Sequence, residues 1–195
     1  MFYKFAQFLA GIYIFAFHRV KVCGKDNIPA EGGAILCANH ASAMDPVLLG
    51  VCIKRQVHFI AKKELYGNKL FSAVLRWLGA IKVDRAVTDM TAYREALNLL
   101  KAGGLIGIFA QGHRLKDLDA RGAKSGVALF ALKSRVKVIP VAIKSDYKRF
   151  GRVSITCGEP VSLECPPAQR KLDAKTLAEA TEKIMLRVNE LLEAR

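Results

Sequence analysis

Short runs rich in β-branched and apolar residues recur along this chain, and segments with helical spacing lie between them. The runs are Val20–Cys23, Ala34–Ala38, Val57–Ala61, Ala80–Val83, Leu105–Ala110, Val136–Ile143 and Val153–Cys157. Strands interleaved with helices, not grouped apart from them, predict an α/β domain. Its central sheet of about seven strands should be largely parallel and flanked by helices. The clearest helix starts after Asp89, an N-cap type of residue. It sets Met90, Tyr93, Leu97 and Leu100 on one face and stops at Gly103-Gly104. The last helix, from Asp173 to Glu193, repeats Leu177, Thr181, Ile184, Val188 and Leu191 at spacings of four and three. At 195 residues with no internal repeat or long linker, the chain fits one domain.

The amino terminus is unusual. From Phe2 to Phe17 the strongly polar side chains are Lys4 and Gln7 alone, and with Gly11 they form one thin stripe on a helix. About 16 helical residues span about 24 Å, short of the ~30 Å hydrocarbon core of a bilayer. The lone Lys4, the aromatic-rich middle and the missing small-residue cleavage site argue against a secretory signal. Residues 1–18 therefore read as a hydrophobic or amphipathic helix lying along one leaflet, ahead of a domain over 19–195. The alternative is a buried helix that caps that domain.

Lys and Arg number 31 against 17 Asp and Glu, giving a net charge of +14. Such a field attracts anionic membranes, nucleic acid, acidic carrier proteins or phosphorylated substrates. The basic residues are scattered, and there is no nucleic-acid module or interleaved Arg/aromatic platform, so nucleic acid is not expected as a partner. Cys23, Cys37, Cys52, Cys157 and Cys165 form an odd set without a CxxC pair, which suits reduced thiols. The histidines His18, His40, His58 and His113 lack ligand spacing as well, so no metal is expected.

In α/β sheets ligands bind at the carboxyl ends of strands, and two such ends carry visible chemistry. The run AILCA leads into Asn39-His40-Ala41-Ser42-Ala43-Met44-Asp45-Pro46. Asp45 before Pro46 suits a helix start, with the carboxylate as N-cap. Alternatively, the small residues allow a tight loop in which Asp45 folds back to the imidazole Nδ1–H of His40. That would fix the tautomer and leave Nε2 free to take a proton. No GxSxG elbow is present, and Ser42 is too close in sequence to reach the free nitrogen easily. A His–Asp pair without its own nucleophile suggests that the hydroxyl belongs to the substrate.

The block from Asn39 to Pro46 resembles the NHxSxxDP block of the glycerolipid acyltransferases, the lysophosphatidate acyltransferase family. Gly79-Ala80-Ile81-Lys82-Val83-Asp84-Arg85 is similar to the second block of that family, and Phe109-Ala110-Gln111-Gly112-His113-Arg114 stands in place of its third, usually F-P-E-G-T-R. Phe109, Gly112 and Arg114 agree there, while Ala110, Gln111 and His113 depart. Val138-Ile139-Pro140-Val141 resembles the fourth block, a strand that lines the site, and the run Lys62-Lys63-Glu64-Leu65 is also family-like. The resemblance covers about residues 20 to 160.

It implies acyl transfer from acyl-coenzyme A or acyl-carrier protein to the free hydroxyl of lysophosphatidic acid, with no bound cofactor. His40 would be the base and Asp45 its orienting partner. Asn39, Ser42, Lys62, Arg85, Gln111, Gly112 and Arg114 would contact substrate, with the two arginines on the acceptor phosphate. The expected place is the cytoplasmic face of the cell membrane, peripheral or monotopic, against an anionic surface. Other readings stay open at this point: another lysolipid or an amino-acid lipid as acceptor, a thioesterase using the same pair on water, or a non-catalytic basic membrane-binding protein.

Overall fold

The computed structural model describes residues 2–109, 125–163 and 172–194. Every expected strand is present: β1 (Arg19–Cys23), β2 (Ala34–Ala38), β3 (Val57–Lys62), β4 (Ile81–Val83), β5 (Leu105–Phe109), β6 (Lys137–Ser145) and β7 (Arg152–Cys157). They form one sheet in the order β1-β7-β6-β2-β5-β3-β4, and the β6–β7 pair alone is antiparallel. The described helices are α1 (Phe2–Phe17), α2 (Asp45–Cys52), α3 (Lys69–Trp77), α4 (Met90–Lys101), α5 (Gly126–Ser134) and α6 (Ala174–Glu193).

The central strand β2 is buried on both faces, which is why it reads as a continuous apolar run instead of an alternating one. Its residues still divide by period two. Ala34, Leu36 and Ala38 join the core on the side of α1 and α2, with Ile14, Leu48 and Leu49. Ile35 and Cys37 join the opposite core, with Ala96 of α4, Val127 of α5 and Ile184 of α6. Each fully buried Ile or Leu contributes about 1.5–3 kcal/mol. Pro140 lies within β6 at the point where β7 pairing ends, since the ladder runs from Val141↔Cys157 onward. Its missing N–H therefore falls at the end of the ladder.

The expected cap of α4 is in place, and α6 is capped in the same way. The Asp89 carboxylate accepts the N–H groups of Thr91 and Ala92 to start α4, and Asp173 accepts that of Thr176 to start α6. Helix α4 ends at Gly103, whose φ of 90° few other residues adopt. The buried face of α4 differs from the expected one: Ala92, Ala96 and Leu100 face the sheet, while Met90 is 48% exposed in the first turn. Alanine lets a helix lie close on a sheet, so the small residues were the better guide.

Helix α1 is turned with its polar stripe toward the protein. The Gln7 amide donates to the carbonyls of Gly50 and Ile53 at 2.7 and 2.8 Å, and Lys4 Nζ to that of Lys54 at 2.7 Å. These satisfy carbonyls around the carboxyl end of α2. Gly11 and Ile14 are its buried residues, so the alternative of a wholly buried capping helix does not hold. Phe5, Phe8, Leu9, Ile12 and Phe15 face outward, Phe8 at 65% exposure. No helix among the described residues is long and apolar enough to cross a membrane.

Candidate active site

Strand β2 lies between β5 and β6, and successive crossovers pass to opposite sides of it, so its carboxyl end opens into the crevice where ligands bind in such sheets. Asn39 comes first after the strand. It was expected to touch substrate, but its amide is engaged elsewhere: Nδ2 donates to Ile143 O at 2.9 Å and Oδ1 accepts the Ile143 N–H at 2.7 Å. Both atoms continue the β2–β6 ladder, which ties Asn39 to the sheet.

Asp45 is fully buried at the start of α2. Its Oδ2 accepts hydrogen bonds from His40 Nδ1–H at 2.9 Å and from the N–H groups of Ala41 and Ser42, each at 2.8 Å. Its Oδ1 accepts the hydroxyl of Tyr147 at 2.5 Å. The carboxylate has thus folded back over the small-residue loop, and the N-cap alternative is not realised. Met44 holds the N-cap position without a side-chain bond, and Pro46 fills the first turn. Burial alone would push the Asp45 carboxyl up. The donors from His40, Tyr147, Ser42 and Ala41 together outweigh it and hold the group below the ordinary carboxylate range. Ser42 Oγ accepts the Met44 N–H at 3.2 Å and so braces the loop.

A carboxylate can only accept, so His40 carries its proton on Nδ1 and presents a lone pair at Nε2. The imidazole is stacked on Phe109, with centroids 4.2 Å apart and planes 23° from parallel, and Phe109 stacks in turn on Phe59. Gly107 makes that layer possible. A Cβ there would stand 2.4 Å from Phe59 Cε1, so only a bare Cα lets the Phe59 ring lie on the sheet.

His40 lines an open cavity of about 1040 Å³ bordered by α1, α2, α3, α4, α5 and the ends of β3, β4 and β5. The lining is mostly apolar, from Ala6 and Ala10 of α1, Val47 of α2 and Leu75 of α3, and its volume reaches the upper end of the ~300–1,000 Å³ usual for ligand pockets. Lys62 and Arg85 line the same cavity, which brings two of the three expected cations to the space His40 faces. Asp84 beside Arg85 is held by Lys63 Nζ at 2.6 Å, and Asp89 accepts the Asp84 N–H. Burial draws the Arg85 guanidinium below its ordinary range, opposed by the charge of Glu64. Val138, Ile139 and Val141 are fully buried in the sheet, as in an ordinary core strand. Gln111, Gly112 and Arg114 lie outside the described residues, as does His113.

Tyr147 was not foreseen. It lies 102 residues from Asp45 in a loop whose sequence is ordinary. The usable signal was topological: with β2 and β6 parallel in the register Ala38↔Val141, whatever follows β6 meets whatever follows β2.

An α/β sheet with a hydrogen-bonded His–Asp pair and an apolar cavity at its strand ends has the form of an enzyme active site. The comparisons narrow that class. A family model described as Acyltransferase matches residues 19–144. The chain is 30% identical, over 97% of its length and 96% of the relative, to the 1-acyl-sn-glycerol-3-phosphate acyltransferase of Bacillus subtilis (strain 168). To the enzyme of the same name from Streptococcus pneumoniae it is 30% identical over 84% of its length, covering 64% of that protein. The crystal structure of the 1-acyl-sn-glycerophosphate acyltransferase from Thermotoga maritima superposes with a TM-score of 0.69 at 28% identity, covering 99% of this chain and 80% of that one. The chain belongs to the acyltransferase family.

Proposed function

We propose that this enzyme acylates the free hydroxyl of lysophosphatidic acid from an acyl thioester, either acyl-coenzyme A or acyl-carrier protein, to give phosphatidic acid for phospholipid synthesis. The observation that carries the reading is the His40–Asp45 bond at 2.9 Å, with the ring facing an apolar cavity that also holds Lys62 and Arg85. Asp45 holds Nδ1–H, and Nε2 takes the proton of the acceptor hydroxyl as its oxygen attacks the thioester carbonyl. The tetrahedral intermediate collapses by breaking the carbon–sulfur bond, and the imidazolium returns its proton to the departing thiolate. The apolar lining suits a fatty chain, while Arg85 and Lys62 suit the phosphate of the acceptor. Relatives named as 1-acyl-sn-glycerol-3-phosphate acyltransferases support that acceptor.

The lipid would arrive along the bilayer surface. The outward apolar face of α1 continues onto α3, where Trp77 packs against Phe2 with ring centroids 4.8 Å apart and Leu70 is 76% exposed. Phe71 and Leu65 are both exposed and part of the cavity lining, so the exposed apolar residues of this face reach the cavity mouth. Residues 1–18 then seat the enzyme on an anionic membrane, at its cytoplasmic face, as a peripheral or monotopic protein. The test is to supply purified protein with a labelled acyl thioester, with and without lysophosphatidic acid. Label should enter phosphatidic acid, and thiol release should require the acceptor; thiol release without it would make the protein a hydrolase.

A further inference from the structure

Tyr147 differs from other bonded tyrosines of this protein. Tyr66 gives its hydroxyl proton to the Ala80 carbonyl and Tyr3 to that of Gly50, the ordinary way to satisfy a half-buried phenol. Tyr147 gives its proton to the carboxylate of Asp45, on the oxygen opposite the one that binds His40. Its backbone has a φ of 52°, in the left-handed region that a bulky residue enters at a cost of about 1 kcal/mol or more. The surroundings enforce that turn. Ser145 Oγ accepts the Tyr147 N–H at 2.9 Å, and the Phe150 N–H donates to Phe17 O at 2.7 Å, tying the loop to the end of α1. The ring packs on the core beneath α1 and α2, so packing fixes where the hydroxyl points.

From this we infer that Tyr147 is a positioning residue for acyl transfer, acting through Asp45 on His40. The inference rests on the reading of His40 as general base. An aspartate rotates easily about its terminal torsion, which is broad and roughly two-fold. The three donors on Oδ2 sit on one side, and the Tyr147 hydroxyl pins the other oxygen, so the carboxylate keeps Oδ2 aimed at Nδ1. The same bond spreads the negative charge over both oxygens. Asp45 then orients the imidazole with Nε2 directed away from it.

The test uses the full-length enzyme with the change Tyr147→Phe, which removes one oxygen and keeps the ring. Losing one hydrogen bond to a charged group should lower kcat about 10-fold. The KM values for donor and acceptor should stay within about twofold, since no substrate contact is lost. Charge concentrated on Oδ2 favours the imidazolium, so the acidic limb of the kcat/KM profile should move up by about half a pH unit. In an Asp45→Asn background the same change should cost almost nothing further, because its route to His40 is already broken. An unmoved limb with full kcat overturns the inference, and so do losses that multiply in the double variant. Should phenylalanine at this position impair folding, site-specific 3-fluorotyrosine keeps the shape and is the stronger donor. The limb should then move down, and an unmoved limb again overturns the inference. A separate result, full activity of His40→Ala in the same assay, would remove the base assignment and this inference with it.

Discussion

Asn39 and Ile143 exchange two hydrogen bonds across 104 residues, and through them a side chain stands in for the next rung of the β2–β6 ladder. The residue before His40 is thereby fixed to the sheet, and the loop that carries His40 departs from a rigid point. Asn39→Ala leaves a buried N–H and C=O of Ile143 unpaired, which should cost about 1–3 kcal/mol in chemical denaturation. It should also lower kcat more than it raises KM, because the loop that carries His40 loses its anchor to the sheet while the cavity keeps its lining. Asn39→Asp should be at least as damaging, since a carboxylate oxygen would face the Ile143 carbonyl. A raised KM with unchanged stability would return Asn39 to the role of a substrate contact.

That relationship marks where sequence reading reaches and where it stops. Strand and helix identities were legible because burial on both faces and helical periodicity are local patterns, as in Ala34–Ala38 and in the run capped by Asp89. The His40–Asp45 pair was legible because four residues separate them and three of these, Ala41, Ser42 and Ala43, are small enough to allow a tight loop. The direction of the Asn39 amide and the arrival of Tyr147 were not, because both depend on the register between β2 and β6, which no local pattern encodes. The polar stripe of α1 was visible, but that it faces inward follows from the free carbonyls around the end of α2.

Asp45 makes a pH-dependent contribution to stability. Its folded pKa is held below the ordinary value of about 3.9, so it contributes fully above that unfolded value and loses its contribution as pH falls through the folded one. Asp45→Asn should destabilise the protein by about 2 kcal/mol or more at neutral pH, because buried donors lose a charged acceptor. An asparagine would be harmless only if the carboxylate were a helix cap. Urea unfolding of both proteins from pH 7 down to about pH 3 should show the gap narrowing toward the acid end. A gap that stays constant would contradict the role given to these hydrogen bonds.

Arg85 tests the acceptor assignment. Arg85→Ala should weaken transition-state binding of a phosphate-bearing acceptor by about 2–4 kcal/mol, or roughly 30- to 1000-fold in kcat/KM. Arg85→Lys should recover part of this, because an ammonium supplies charge without the planar fork. Lysophosphatidic acid and a neutral lysolipid should be compared side by side. Equal losses on both would leave phosphate recognition by Arg85 without support.

The outward face of α1 can be altered without touching the core, since Phe5, Phe8 and Ile12 are exposed while Ile14 is buried. Replacing all three by serine should leave thermal stability nearly unchanged. It should weaken binding to anionic vesicles in flotation assays by well over 10-fold, given about 1.5–3 kcal/mol for each large apolar side chain withdrawn from lipid. Salt at about 1 M should release the unaltered protein only in part, because screening acts on charge and not on buried phenylalanine. Complete release by salt would make surface charge the anchor.

The most direct measurement is the turnover of His40→Ala in a purified, lysate-free assay, with circular dichroism to show that the fold is retained. His40 is mostly buried and is one of four donors to the buried Asp45 carboxylate, so the change should cost about 1–3 kcal/mol, while the three remaining donors keep the loop in place. If Nε2 is the base that deprotonates the acceptor hydroxyl, transfer of label from an acyl thioester to lysophosphatidic acid should fall by at least ~10³. Near-full transfer by the folded variant would contradict the His40–Asp45 mechanism outright.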